Sequence, residues 1–136
     1  MPGIRRQGRS AALQWLYQNE INPIMGPDET ERFWQGLEAS AKVRAFGQAL
    51  IQATLEHKDA LDAQLEGLLK NWKVSRLSVL VRYLLRMGLA EIQYMPETPA
   101  VVVIDEAVAL AGQFVDEEAA RLVNGVLDQA RKTLQG

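Results

Sequence analysis

The chain has 136 residues, no cysteine, a single histidine and a formal net charge of −2. With 48% hydrophobic and 24% charged residues, its composition is that of a globular domain large enough to bury its own core. The missing cysteines exclude disulfides, thiolate nucleophiles and sulfur-ligated metals, and the lone His57 excludes sites that need several histidines. No segment resembles a signal peptide or a membrane span, so we expect a cytoplasmic protein.

The charges are distributed unevenly along the chain. Residues 1–19 carry three basic residues and residues 67–90 carry five, with no acid in either segment. The remaining seven basic and 17 acidic residues leave the rest of the chain at −10. If the two basic segments meet in the fold, they form a positive patch suited to a nucleic acid. The alternative is that these side chains only solvate helix surfaces.

The first predicted helix covers residues 3–22, where apolar residues recur at three- and four-residue spacings until Pro23 ends the pattern. Its arginines precede the apolar stripe, so this part is expected to project from the core or to fray. Gly8 makes helix formation here less favourable by about 1 kcal/mol relative to alanine. Residues 22–28 form a predicted loop, because they are rich in turn-forming residues.

Two further helices are predicted in the N-terminal half. A capping box of Asp28 and Glu31 begins a short one. Ser40 caps a longer one, whose apolar residues keep the helical period to about residue 70. The pattern does not decide whether this helix breaks near Lys58.

A central helix is predicted next, because apolar residues occur on nearly every side between Ser78 and Tyr94. Ser75 and Ser78 are both candidate caps for it. Arg82 and Arg86 lie four residues apart and therefore share its one polar strip.

Two helices complete the chain. Thr98 and Pro99 are predicted to begin the first, and the spacing of apolar residues favours a helix over a strand at residues 101–104. The last begins at Asp116, followed by acids in its first turn. Residues 124–125 (Asn-Gly) are typical of a hairpin, but the helical period continues through them. We therefore favour a helix whose glycine lets another helix pass closely.

The expected fold is all-α: a compact bundle of six or seven helices in a single domain covering residues 1–136. A smaller N-terminal helical subdomain ends at about residue 70, and a larger one covers about residues 71–136.

The sequence lacks recognisable nucleotide-binding, metal-binding and catalytic motifs. It has no dinucleotide or phosphate-binding glycine loop and no Glu-x-x-His pair. His57 lies near Asp59 and Asp62, but no motif holds a serine beside it, so an exposed helical histidine is the favoured interpretation. We expect no catalysis, no cofactor and no metal.

The aromatic residues fall into two groups. Trp15, Trp34 and Trp72 could stack on bases, but tryptophans in so small a domain more often belong to the core. Tyr17 lies two turns after Arg9, so its ring can reach the basic region. Stacking on RNA and simple packing are equally compatible with its position.

Several stretches carry a family resemblance. They are residues 5–9 (RRQGR), 12–17 (ALQWLY), 84–91 (LLRMGLAE), 99–111 (PAVVVIDEAVALA) with Phe114, and 122–128 (LVNGVLD). Together they resemble the NusB family of bacterial transcription antitermination factors over essentially the whole chain.

The resemblance implies an all-helical RNA-binding protein that acts with NusE, a ribosomal small-subunit protein. The pair holds single-stranded boxA RNA and helps the RNA polymerase antitermination complex to read through terminators, particularly in ribosomal RNA operons. The family's RNA-binding positions correspond to Arg5, Arg6, Arg9, Tyr17, Arg82 and Arg86 of this chain. The second basic segment adds Arg76 to these candidates.

The chain departs from the family pattern at three positions. Val81 stands where an acid often precedes the basic position of the central helix, which removes one base-edge contact. Asp105 replaces the usual asparagine, and Gly8 interrupts the arginine run.

Two other functions fit the sequence. One is a helical protein-interaction module that self-associates without RNA. The other is an RNA-binding domain akin to that of ribosomal RNA cytosine methyltransferases, although we expect no catalytic domain in a chain that ends at Gly136. Duplex DNA is excluded, because the central helix is too apolar to lie in a groove. Monomer and homodimer both remain open.

Overall fold

The computed structural model describes residues 3–23, 26–70 and 72–135. Within these ranges the chain forms seven α-helices, one short 3-10 turn and no strand. The helices are α1 (Ile4–Ile21), α2 (Pro27–Gly36), α3 (Ala41–Glu56), α4 (Lys58–Leu68), α5 (Val79–Tyr94), α6 (Ala100–Phe114) and α7 (Glu117–Gln135), with the 3-10 turn at Val74–Arg76. The all-α prediction is confirmed, while the division into two subdomains stays a prediction.

Helix α5 is the centre of the fold. It packs against α1, α3, α4, α6 and α7, and each of its residues from Tyr83 to Glu91 is buried. The Ser78 hydroxyl accepts a hydrogen bond from the Val81 N–H at 3.3 Å and caps the helix, while Ser75 lies in the 3-10 turn. The prediction of a heavily buried central helix is confirmed, and burial of its leucines contributes about 1.5–3 kcal/mol per side chain.

The start of α2 differs from the prediction. The helix begins at Pro27, and the N–H of Gly26 donates to the Glu29 carboxylate at 3.0 Å. The expected capping box of Asp28 and Glu31 is therefore wrong, because proline at the first helical position starts the helix two residues earlier, with Gly26 and Glu29 in the capping positions. Part of the predicted loop before it, residues 24 and 25, lies outside the described residues.

A break separates α3 from α4 at His57, a point that the periodicity left open. Its imidazole stacks on the ring of Tyr94, with 3.7 Å between ring centroids and 14° between planes. The expectation of an exposed histidine within a helix is therefore wrong. Of the two acids near it in sequence, Asp59 is exposed and Asp62 binds Arg86.

The C-terminal third is helical where the sequence was ambiguous. Residues 101–104 lie in α6, residues 124–125 lie in α7, and the Asp116 carboxylate caps α7 by accepting the Ala119 N–H at 2.8 Å. A Cβ atom on Gly125 would meet nothing within 4 Å. The glycine therefore does not serve a close helix crossing, contrary to expectation.

The close crossing lies between α1 and α3. A Cβ on Gly8 would lie 2.7 Å from Cδ2 of Phe46 and 3.3 Å from the backbone nitrogen of Gly47. A Cβ on Gly47 would lie 2.5 Å from the ring of Trp34. Gly8 is buried here, so the start of α1 is packed against the core and does not project as a basic arm.

We expect Gly8→Ala to lower the free energy of unfolding by up to about 2 kcal/mol. Overpacking at a backbone crossing costs about 1–3 kcal/mol, which outweighs the gain of about 1 kcal/mol in helix propensity. Gly125→Ala is the matched control, and its open surroundings should let the propensity gain raise stability. Urea unfolding of both variants measures the difference, and a stabilised Gly8→Ala protein would contradict the crossing.

Candidate nucleic-acid interface

Helices α1 and α5 lie side by side and antiparallel. Near the start of α1, Arg9 binds Glu91 near the end of α5; near the end of α1, Glu20 lies 3.6 Å from Arg82 near the start of α5. The fold therefore brings the two basic segments together along this helix pair. Their cations do not form one cluster, because those of α1 and those preceding α5 lie at opposite ends of the pair, about 20 Å apart by helical rise.

Arg5 and Arg6 lie at the first end. Arg5 donates a hydrogen bond to the hydroxyl of Thr98, which is buried; α6 itself begins at Ala100, so Thr98 is not the cap that the sequence predicted. Arg6 makes a bidentate ion pair with Glu106 at 3.0 and 3.2 Å, and its side chain is 60% exposed. Both guanidinium groups are thus at or near the surface.

Arg9 is in a different environment. It is 4% exposed and donates two hydrogen bonds to the Glu91 carboxylate, at 2.8 and 2.6 Å. Its guanidinium also lies 5.3 Å from the ring centroid of Phe46. All of this places Arg9 inside the molecule, where its charge is neutralised by a carboxylate that is itself buried.

The outer face of α1 connects the two ends. Arg6 and Tyr17 are eleven residues apart, which is about three helical turns, so they lie on the same face about 16 Å apart. Tyr17 is 39% exposed. Between them, Ser10 and Gln14 are half-buried, and the Gln14 amide donates to the Ser10 hydroxyl at 3.2 Å. The face is therefore polar, with a cation and an aromatic ring along it.

Arg82 and Arg86 do not share an exposed strip. Arg82 is half-buried beside Glu20, whereas Arg86 is 3% exposed and binds both oxygens of Asp62 at 2.7 and 2.8 Å. Burial opposes the charged form of Arg86, but the hydrogen bonds to Asp62 raise its pKa above the ordinary value. Burial likewise raises the pKa of Tyr83, whose ring lies beneath the Arg86 guanidinium.

The connection between α4 and α5 carries the remaining cations. Lys70, Lys73 and Arg76 are exposed and line a groove of about 430 Å³ that also contains Trp72. Trp72 is 56% exposed, so the expectation that it belongs to the core is wrong. Its neighbours in sequence, Asn71 and Lys73, could have indicated this, because they are polar and do not belong to an apolar helical stripe.

The other two tryptophans do belong to the core, as predicted. Trp15 is 8% exposed and donates its indole N–H to the Thr30 hydroxyl at 3.2 Å, and Trp34 is 2% exposed.

Two further features of the described residues bear on function. They contain no group of three or more histidine, cysteine or acidic side chains placed to hold a metal ion. None of the helices among them has the length and apolar character needed to cross a membrane.

Comparison with known proteins gives a consistent result. The NusB family model matches residues 6–132. Transcription antitermination protein NusB of Myxococcus xanthus is 37% identical, covering 97% of each chain, and that of Bacillus cereus is 36% identical, covering 96% of this chain and 98% of the relative.

Solved structures agree with this result. T. maritima NusB matches with a TM-score of 0.84 and 27% identity, over 97% of this chain and 93% of that chain. The crystal structure of antitermination factors NusB and NusE in complex with dsRNA matches with a TM-score of 0.87 and 23% identity, over 98% and 99%. The likeness to that complex shows the fold.

Proposed function

Because the chain belongs to the NusB family of transcription antitermination factors, whose relatives are named as antitermination proteins and not as enzymes, we propose that it binds boxA-type single-stranded RNA together with NusE. In this proposal the protein acts in the cytoplasm and promotes read-through of ribosomal RNA operons by RNA polymerase. The complex of NusB and NusE with dsRNA among its structural relatives supports NusE as the partner and RNA as the class of ligand.

One observation carries the proposal: the polar outer face of α1 has exposed Arg5 and Arg6 at one end and exposed Tyr17 along it, and half-buried Arg82 and exposed Arg76 lie toward its other end. Arg5 and Arg6 bind phosphates at one end, and Arg82 and Arg76 do so at the other. Tyr17 offers a ring on which a base of single-stranded RNA can stack.

Arg9 and Arg86 lie beneath this surface and support the helices that form it. Each is buried in a bidentate ion pair, so each holds a helix in position and does not touch the ligand. Arg9 joins the start of α1 to α5, and Arg86 joins α5 to α4. In this proposal, five of the seven predicted residues contact RNA and two position the contacting side chains.

The ion pair of Arg6 is compatible with RNA binding. The Arg6 side chain is 60% exposed and that of Glu106 is 17% exposed, and an ion pair at the surface contributes only about 1 kcal/mol because water screens the exposed charge. The guanidinium can therefore leave Glu106 for a phosphate, with which it forms a bidentate pair of the same geometry. Moving the Arg5 guanidinium to a phosphate costs even less free energy, because its present partner, Thr98, is uncharged.

We expect Arg5→Ala combined with Arg6→Ala to weaken boxA binding about tenfold and to flatten its salt dependence. Each phosphate contact with a single strand contributes about 0.7 to the slope of log affinity against log salt, so two lost contacts lower its magnitude by about 1.4. Fluorescence anisotropy with boxA and scrambled RNA, with and without NusE, over several salt concentrations measures both quantities.

The matched control removes two exposed arginines that lie elsewhere. Arg32 on α2 and Arg121 on α7 have side chains 71% and 75% exposed. Changing both to alanine removes the same net charge and should leave the slope unchanged. Equal losses in the two double variants would indicate a general charge effect. Binding of neither boxA nor scrambled RNA by the native protein would favour a protein-interaction module, whose self-association sedimentation would detect.

A further inference from the structure

Trp72 is the most unusual side chain on the surface. Its indole is 56% exposed, whereas Trp15 and Trp34 are nearly or fully buried. Tryptophan is the largest side chain, and an exposed apolar face of that size is costly in water unless a ligand covers it. The ring lies on the connection between α4 and α5, outside the helix pair described above.

The charges around the indole are asymmetric. Lys70, Lys73 and Arg76 share one groove with it, and the acid among the residues lining that groove, Glu66, accepts a hydrogen bond from the Val74 N–H at 3.0 Å. This carboxylate is thus engaged with the backbone of the turn. The side of the indole that faces this groove carries a clear excess of positive charge.

Trp72 also lines a second groove, of about 240 Å³, whose other lining residues are apolar apart from Asp116 and Glu118 at the start of α7. Carboxylates repel phosphates, so a polyanion that covers the indole would run its backbone along the cationic groove. Trp72 thus borders both a cationic groove and a partly acidic one.

The cationic groove lies at the same end of α5 as Arg82, one of the residues proposed above to contact RNA. Arg76 ends the 3-10 turn, α5 begins three residues later, and Arg82 in the first turns of α5 lies beside Glu20 of α1. An RNA strand that follows α1 from Arg6 past Tyr17 therefore reaches this connection next.

We propose that Trp72 is a stacking platform for one base of the bound single-stranded RNA, with Lys73 and Arg76 holding the phosphates on either side. This inference rests on the proposed function and extends its site to a side chain outside the candidate set. Stacking on an indole tolerates any base, because every base has a π-face. The platform thus contributes affinity more than sequence preference.

An RNA ligand fits this surface better than a protein does. The cores of protein interfaces are depleted in lysine, and a protein covering Trp72 would also have to desolvate or pair Lys70, Lys73 and Arg76. Each nucleotide of RNA can both cover the indole and pair a cation, because it carries a base that stacks and a phosphate that binds lysine or arginine.

The test separates stacking from charge. Trp72→Leu should weaken boxA binding about tenfold without changing the salt slope, because no phosphate contact is lost. Trp72→Phe keeps an aromatic face and should recover most of the affinity. Lys73→Ala combined with Arg76→Ala should instead lower the magnitude of the slope by about 1.4.

Leu55→Ala is the control for the loss of an exposed apolar side chain. Leu55 is 36% exposed and lies near the end of α3, a helix that carries none of the residues proposed to contact RNA. This variant should bind boxA like the native protein.

Fluorescence gives a direct readout. Because Trp15 and Trp34 are buried, acrylamide quenching of the native protein reports mainly on Trp72. Saturating RNA should reduce this emission and shield it from acrylamide. In Trp72→Phe, RNA should change neither the tryptophan emission nor its quenching by acrylamide.

Each outcome decides the proposal. Native-like binding by Trp72→Leu, in a protein that binds boxA with normal salt dependence, overturns the platform and leaves the proposed function standing. A defect seen only in the affinity for NusE, with RNA binding intact, assigns Trp72 to a protein contact and also overturns it. If the native protein binds no RNA, the platform and the proposed function fail together.

Discussion

Arg9→Ala is expected to lower the free energy of unfolding by about 3–5 kcal/mol, because it leaves the carboxylate of Glu91 buried without a partner. Arg9 and Glu91 have side chains only 5% and 2% exposed, so water cannot replace the two lost hydrogen bonds. A domain of this kind has about 5–15 kcal/mol of stability in total. The substitution therefore removes a large part of it.

Urea unfolding of matched variants tests this expectation. Arg6→Ala removes an arginine of the same helix whose side chain is 60% exposed, and should cost only about 1 kcal/mol. Arg9→Met combined with Glu91→Leu replaces the buried pair by apolar side chains and should recover most of the stability, since such replacements are often neutral or better. A native-like Arg9→Ala protein would contradict the burial of this pair.

This result also decides how the arginine run of α1 is tested. A variant lacking Arg5, Arg6 and Arg9 together would lose RNA binding through partial unfolding, whatever the arginines contact. Retaining Arg9 separates the surface role of Arg5 and Arg6 from the structural role of their neighbour.

Local rules predicted most of the helices. Ser40 accepts the Val43 N–H at 3.2 Å and Asp116 caps α7, as their position before an apolar periodic run indicates. The period also identified residues 101–104 and 124–125 as helical, against their local preference for a strand and a turn. These features depend on residues within one or two turns, which a single sequence contains.

Burial of the arginines could not be predicted in this way. The partner of Arg9 is 82 residues away in sequence and that of Arg86 is 24 residues away. Spacing on one helix says which side chains share a face, but the acid opposite that face is determined by how the helices pack. The close approach of Gly8 and Gly47 could not be predicted for the same reason. The two glycines come together only when α1 packs on α3.

Asp62→Ala is expected to lower the free energy of unfolding by about 3–5 kcal/mol, and more than Arg86→Met does. The two side chains of this pair differ in exposure, at 29% for Asp62 and 4% for Arg86. Without Asp62, the guanidinium of Arg86 stays buried with no counter-charge, and its Nη1 already lacks an acceptor among the described residues. Without Arg86, the partly exposed carboxylate of Asp62 can be hydrated.

The order of the two effects is the diagnostic quantity. Arg86→Met keeps an apolar chain over the ring of Tyr83 and should cost about 1–3 kcal/mol, from lost hydrogen bonds and the cation–π contact 4.9 Å above that ring. Urea unfolding of both single variants and of the double variant Asp62→Ala with Arg86→Met measures the order and the coupling. The double variant should be more stable than Asp62→Ala alone, because it no longer buries an unpaired charge. If Arg86→Met proves the more damaging single change, then leaving the buried Arg86 charge without a partner is not the main cost of removing Asp62.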